Sequence, residues 1–292
     1  MLKFDEKIIR SFINKYNLPE WLIPYIKDYL KKKNYNIKYI LTFINYGRKK
    51  GDVKAENITL PNGVVFKRKH MVHLLNLLYY SINSMSSVSK YWSEHSWDNL
   101  ELKERFISIT DIENGRALII KNLIEGLNYN IYKNPPSKEL ENTFNYIKNL
   151  NDWNERIVSK EIILNYSYAI PFGYVFYKIF YPIAPTYIRS FGKKFFDKES
   201  CELEDKKDAE MIISDNLISE GRLKQLLKDL IINTIKSINV EIDNAKEANI
   251  YDEIILLRNI AAVYPLYKIK EINKDIYIED LFKDKDIKKL LD

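Results

Sequence analysis

Residues 99–128, NLELKERFISITDIENGRALIIKNLIEGLN, run for thirty positions without a proline. Phe106, Ile107, Ile109, Ile112, Leu118, Ile119, Ile120, Leu123 and Ile124 recur through it at helical spacing and predict one long amphipathic helix. At 1.5 Å per residue such a helix spans about 45 Å, the length of a central member of a bundle. Its middle carries Glu113-Asn-Gly-Arg116. Glu113 and Arg116, three apart, share one side of the helix, and that side borders the apolar stripe.

Outward from this stretch the pattern stays helical. Lys69 to Tyr91 predicts a preceding helix whose second half holds Ser81, Ser84, Ser86, Ser87 and Ser89, small residues that let a neighbour approach. The short link to residue 99 makes the two helices antiparallel neighbours. Pro135-Pro136 breaks the chain. Ser137 is placed to cap a helix over 138–150, and Asp152 to cap one over 153–181. From Ile162 to Tyr177 there is no charged residue, yet Pro171 and Gly173 interrupt the run, which suits a helix buried in a bundle better than a membrane span. Residues 186–238 read as helical, with Gly221 either inside a helix or at a junction, 249–263 as a last long helix ending before Pro265, and the tail as extended and then helical.

On the N-terminal side, 1–55 reads as an added group of short helices. Asn62-Gly63 within ITLPNGVVFKRK (58–69) predicts one small β-hairpin. The chain therefore reads as all-α, an N-terminal helical extension (1–55) followed by a bundle domain with a C-terminal arm (56–292).

Composition narrows function by exclusion. Eight glycines in 292 residues argue against glycine-loop nucleotide folds. The net charge of +6 is spread among interspersed lysines and acids, with no basic arm that would require nucleic acid. One cysteine, Cys201, rules out an internal disulfide or a multi-cysteine zinc site. The N-terminus does not read as a signal peptide, and a cytoplasmic protein is expected. Mean hydropathy of −0.34 agrees. Abundant Lys, Ile, Tyr and Glu with a single Gln225 fit heat adaptation, but abundant Asn cuts against it and AT-rich coding would give a similar bias.

Long helices bearing a Glu-x-x-basic pair resemble the ferritin-like carboxylate bundles, in which two helices each give a Glu and two others each a Glu-x-x-His to a pair of metals. Within that group the chain resembles the subunits of phenylacetyl-CoA epoxidase, the phenylacetic acid catabolic proteins. The segments that carry the likeness are LKERFISITDIENGRALI (102–119), TYIRSFGKKFFDKESC (186–201), SEGRLKQLLKDLIIN (219–233) and YDEIILLRNIAAVYPLYKI (251–269). The likeness covers roughly residues 70–280.

The resemblance implies a ferritin-like four-helix bundle. Carried over residue by residue, the first-helix Glu falls at Asn83, and the second-helix Glu is kept as Glu113 with Arg116 in place of its His. The third-helix carboxylate falls near Leu164 or Asn165, with Glu161 the nearest acid. The fourth-helix Glu-x-x-His falls on Lys198-x-x-Cys201. A rival placement is Ser219-x-x-Arg222, because Ile218-Ser-Glu-Gly-Arg222 echoes Ile112-Glu-Asn-Gly-Arg116. Arg and Lys cannot ligate iron but can neutralise Glu113, since a buried carboxylate without a metal needs a counter-charge. The expectation is a non-catalytic structural subunit, with an ion-pair cluster for a metal centre and no cofactor. It would form homo- or hetero-oligomers with a ferritin-like paralogue and hold an acyl-CoA or other apolar ligand between helices. The alternative is an active iron or manganese oxygenase using Glu113, Glu161, Asp197 and Glu199.

Plainer readings compete for each residue. Glu113 and Arg116 could be a solvated surface pair. His70 and His73 could share a metal, and His95, beside Trp92 and Trp97, suits interhelical packing. Cys201 suits a buried inert thiol better than a nucleophile. The 22 tyrosines are spread as core and interface filler rather than gathered for base stacking.

Overall fold

The structure, a computed structural model, describes residues 57–59, 65–96, 99–169, 200–248 and 251–291. The expected N-terminal extension (1–55), the Asn62-Gly63 turn and the positions 170–199, Lys198 among them, lie outside the described residues. Strands β1 (Asn57–Thr59) and β2 (Val65–Lys67) pair antiparallel, with Ile58 opposite Phe66. All other regular structure among the described residues is helical.

α1 (Arg68–Glu94) and α2 (Leu100–Gly126) pack on each other. Trp92 meets Phe106, and Ser86 donates to Asn114 Oδ1 at 2.7 Å, pairings that fix an antiparallel register. Ser81, Ser86 and Ser89 are buried, Ser86 against α2 and Ser81 against Tyr168, where small side chains permit close approach. α2 is narrower in its buried face than its composition suggests. Phe106, Ile109, Glu113, Ala117, Ile120, Ile124 and Leu127 form the buried stripe, spaced by three and four, while Ile107 and Leu118 face water. Asn99 caps its start by accepting from Leu102 N, and its C-terminus closes on Asn128, whose φ of 61° is left-handed. Tyr129 N then reaches Ile124 O and Asn128 N reaches Glu125 O, the doubled closure that uses up terminal carbonyls.

α3 (Lys138–Lys148) starts at Ser137, whose Oγ accepts from Leu140 N. α4 (Trp153–Val158) starts at Asp152, which accepts from Glu155 N. α4 passes directly into a π-helical segment, Ser159–Ala169. Arg156 to Leu164 are all buried without a break, so this element is enclosed on every side. It packs on α5 (Ser200–Ser214), α6 (Glu220–Asn239) and α8 (Tyr251–Ile272). α6 supplies a leucine-rich stripe, Leu223, Leu226, Leu227, Leu230, Ile231 and Ile235. Each such side chain, fully buried, stabilises the fold by about 1.5–3 kcal/mol. α7 (Ile242–Glu247), a 3-10 turn (Glu279–Lys283) and α9 (Lys285–Leu291) complete the described chain.

Two helix boundaries differ from the sequence reading. The expected run through 238 is cut into α5 and α6. Asn216 takes a φ of 54°, and Leu217 N and Asn216 N bond back to Ile212 O and Ile213 O, ending α5. Ser219 Oγ then accepts from Arg222 N to start α6. The opposite happens at Pro265, which was expected to follow a helix end and instead sits inside α8. A mid-helix proline costs about 3 kcal/mol. Continuing the helix buries Leu266 and Ile269, whose burial is worth about 1.5–3 kcal/mol each and outweighs that cost.

No described helix is long and apolar enough to cross a membrane.

Candidate functional site

The buried stripe of α2 contains one acid. Glu113 stands in line with Ile109, Ala117 and Ile120, inside the apolar face rather than at its border, and only 9% of its surface is exposed. Arg116 Nη1 donates to Glu113 Oε1 at 3.1 Å. The same guanidinium makes a two-pronged contact with Glu202 of α5, Nη1 to Oε1 at 2.7 Å and Nη2 to Oε2 at 2.8 Å. Arginine suits this position because its planar fork matches a carboxylate and leaves a donor for a second one.

A second cation lies close by. Lys160, from the π-helical segment, is 2.9 Å from Glu161 Oε1 and donates to Asp205 Oδ2 at 3.1 Å. Asp205, one residue-triplet beyond Glu202 on the same face of α5, also accepts from Arg105 Nη1 at 3.1 Å. Arg105 pairs in addition with Asp208 and with Glu101. Asn165 Nδ2 donates to Glu161 Oε2 at 3.0 Å. The result is a charged network joining α2, the π-helical segment and α5. The π-helix supplies two of its members from adjacent positions, Lys160 and Glu161, both buried. Such segments are rare and tend to occur where a fold does something other than pack.

The electrostatics follow from enclosure. Burial is the largest influence on Glu113 and pushes its carboxyl up to about 7, with the negative charge of Glu202 adding to the rise while Arg116 and Lys160 oppose it. Lys160 and Arg116 move the other way. Their burial would weaken the cations, but Glu161 and Asp205 around Lys160, and Glu202 and Glu113 around Arg116, hold both above their ordinary range.

Of the residues singled out from the sequence, Glu113, Arg116, Glu161 and Asn165 enter the network. Asn83 does not: it lies on the exposed side of α1. Lys198 is outside the described residues, and Cys201 falls in the first turn of α5, its side chain likewise outside the described residues. The rival Ser219-x-x-Arg222 is elsewhere, with Ser219 the cap of α6 and Arg222 paired to Glu155 near the surface. Glu202, Asp205, Lys160 and Arg105 were missed. A signal existed in Glu202-x-x-Asp205, which mirrors the Glu113-x-x-Arg116 spacing, but it lay in a charged run that reads as a solvated face.

The histidines stay apart from this network. His73 Nε2 is 2.6 Å from Glu241 Oε2, and His70 Nε2 is 3.9 Å from Glu247. His95 stacks on Tyr91 within its own chain segment, at 4.0 Å between ring centres, instead of bridging helices. No group of three or more His, Cys, Asp or Glu side chains among the described residues has the geometry of a metal site.

The carboxylates Glu113, Glu161, Glu202 and Asp205 are donors that iron or manganese would accept. They do not fit a metal centre as arranged, because Arg116 and Lys160 already stand between them and make the contacts a metal would make. Comparison of the chain with protein-family models, with curated proteins and with solved structures finds no match.

Proposed function

We propose that this chain is a non-catalytic helical protein of the ferritin-like type, similar to the structural subunit of a phenylacetyl-CoA epoxidase-type oxygenase, in which ion pairs take the place of a metal centre. The observation that carries the reading is the double bridging by cations: Arg116 between Glu113 and Glu202, and Lys160 between Glu161 and Asp205. The two facing i,i+3 pairs, Glu113-x-x-Arg116 on α2 and Glu202-x-x-Asp205 on α5, support it further. A carboxylate bundle presents its Glu-x-x-His pairs from two helices with that spacing. The role left to such a protein is to support a partner. Leu100, Ile107 and Leu118, exposed and spaced by seven and eleven residues along one side of α2, offer apolar surface for a second subunit.

Metal analysis of protein produced in medium supplemented with iron and manganese tests the reading. The expected result is far less than one equivalent of either metal. Near-stoichiometric iron or manganese would overturn it in favour of an active carboxylate-bound oxygenase or oxidase.

A further inference from the structure

Away from the ion network, α1, α3, the end of the π-helical segment, α6, α7 and the start of α8 line a cavity of about 180 Å³ that opens to solvent on one side. A cavity of about 150 Å³ in a protein core is large enough to take up benzene, so this one has room for a tail of six or so carbons. Its inner wall is apolar: Leu74, Leu77, Leu140, Ile238, Ile254 and Leu257.

Its polar end is built and rigid. Glu241 is 8% exposed. One carboxylate oxygen, Oε2, takes both His73 Nε2 at 2.6 Å and Asn244 Nδ2 at 3.1 Å. The other, Oε1, takes no hydrogen bond from a described residue. The imidazole is oriented from its far side by the Tyr132 hydroxyl, 3.2 Å from Nδ1. Tyr132 is itself fixed to α1 through Asn76 Oδ1, which accepts from its backbone N at 2.9 Å. With Nε2 against the Glu241 carboxylate and Nδ1 against the tyrosine hydroxyl, both ring nitrogens of His73 have a partner. Tyr132 and Tyr168 are both pushed above the usual phenol range, chiefly by burial and further by the Glu241 carboxylate across the cavity. The remaining charged side chains at the mouth, Lys69 and Glu247, pair with each other.

We propose that this cavity binds small primary amines with apolar tails, the ammonium on Glu241 Oε1 and the tail against Leu74, Leu77, Ile254 and Leu257. A carboxylate ligand would meet Glu241 as a like charge. An alcohol would make the same contact without the charge, and charge-assisted hydrogen bonds are roughly twice as strong.

Calorimetric titration of the full chain with n-hexylamine, hexan-1-ol and hexanoate tests the assignment. Hexylamine should bind about tenfold more tightly than hexanol, a gap of the size a charged partner adds, and hexanoate should not bind. Glu241→Gln should bring hexylamine down to the level of hexanol. Glu241 also holds His73 and Asn244, so a second variant leaves the carboxylate intact: Ala245→Leu, which narrows the cavity, should weaken hexylamine at least as much. Hexanoate binding as tightly as hexylamine, no binding by hexylamine, or unchanged hexylamine affinity in either variant would overturn the proposal. None of these readouts depends on metal content, so the assignment stands or falls apart from the reading of the ion network.

Discussion

Glu113 shows how one residue can set a pH response. Its ordinary value is 4.5, and burial lifts it to about 7 in the folded chain. The folded state therefore binds the proton more tightly than the unfolded one, and stability falls as pH rises between these values, then levels off above the upper one. A shift of this size corresponds to about 3 kcal/mol at 1.36 kcal/mol per unit. Glu113→Gln keeps an acceptor for Arg116 and abolishes the titration. Urea unfolding at pH 5 and pH 8 is expected to show the wild type losing stability toward pH 8 and the variant losing less. A variant whose loss matches the wild type would place the pH dependence elsewhere. Sequence alone identified this residue, since an acid at helical spacing beside an apolar stripe is conspicuous. Glu202 and Asp205 were harder to single out, because their i,i+3 spacing is set in a run of residues in which most positions are charged. Their burial is decided by which helix arrives opposite them.

Among elements, the capped helix starts were legible while two boundaries were not. Ser137 and Asp152 announce themselves as short oxygen-bearing side chains ahead of apolar periodicity, and both accept from the backbone N–H three residues on. The α5–α6 break carried weaker marks: Asn216 is not glycine, and Ser219 sits within a run that otherwise looks continuous. The left-handed turn at Asn216 gives a direct check. A β-branched residue in that conformation is penalised by roughly 1–2 kcal/mol, so Asn216→Val should lower the urea midpoint while Asn216→Gly should leave it unchanged or raise it. Ser219→Ala should cost about 1 kcal/mol through loss of the cap. Pro265 misled in the opposite direction, since the apolar residues after it, once buried, are worth more than the hydrogen bond it removes. The π-helical geometry of Ser159–Ala169 had no mark in the sequence at all; its composition told only that the segment would be enclosed.

For the whole molecule, Asp205 is the junction. It accepts from Lys160 of the π-helical segment and from Arg105 of α2 while belonging to α5, and its side chain is 1% exposed. Removing one partner from a buried ion pair strands the remaining charge, at a cost of about 3–5 kcal/mol. Asp205→Ala is expected to lose that much in chemical denaturation. Disruption of an exposed pair such as Arg222–Glu155 should change stability by about 1 kcal/mol or less. If the two variants behave alike, the network does not hold the helices together.

The aromatic packing between α1, α2 and α4 has a practical use. The Phe106 ring lies between the indoles of Trp92 and Trp153, at 5.3 and 5.4 Å, with the Arg156 guanidinium 4.4 Å from one indole and 5.7 Å from the other. Indole emission depends on nearby charge and on contact with water. Separation of α4 from the α1–α2 pair would withdraw that charge and admit solvent in one movement, so the chain carries its own optical gauge of that junction, readable without an attached dye.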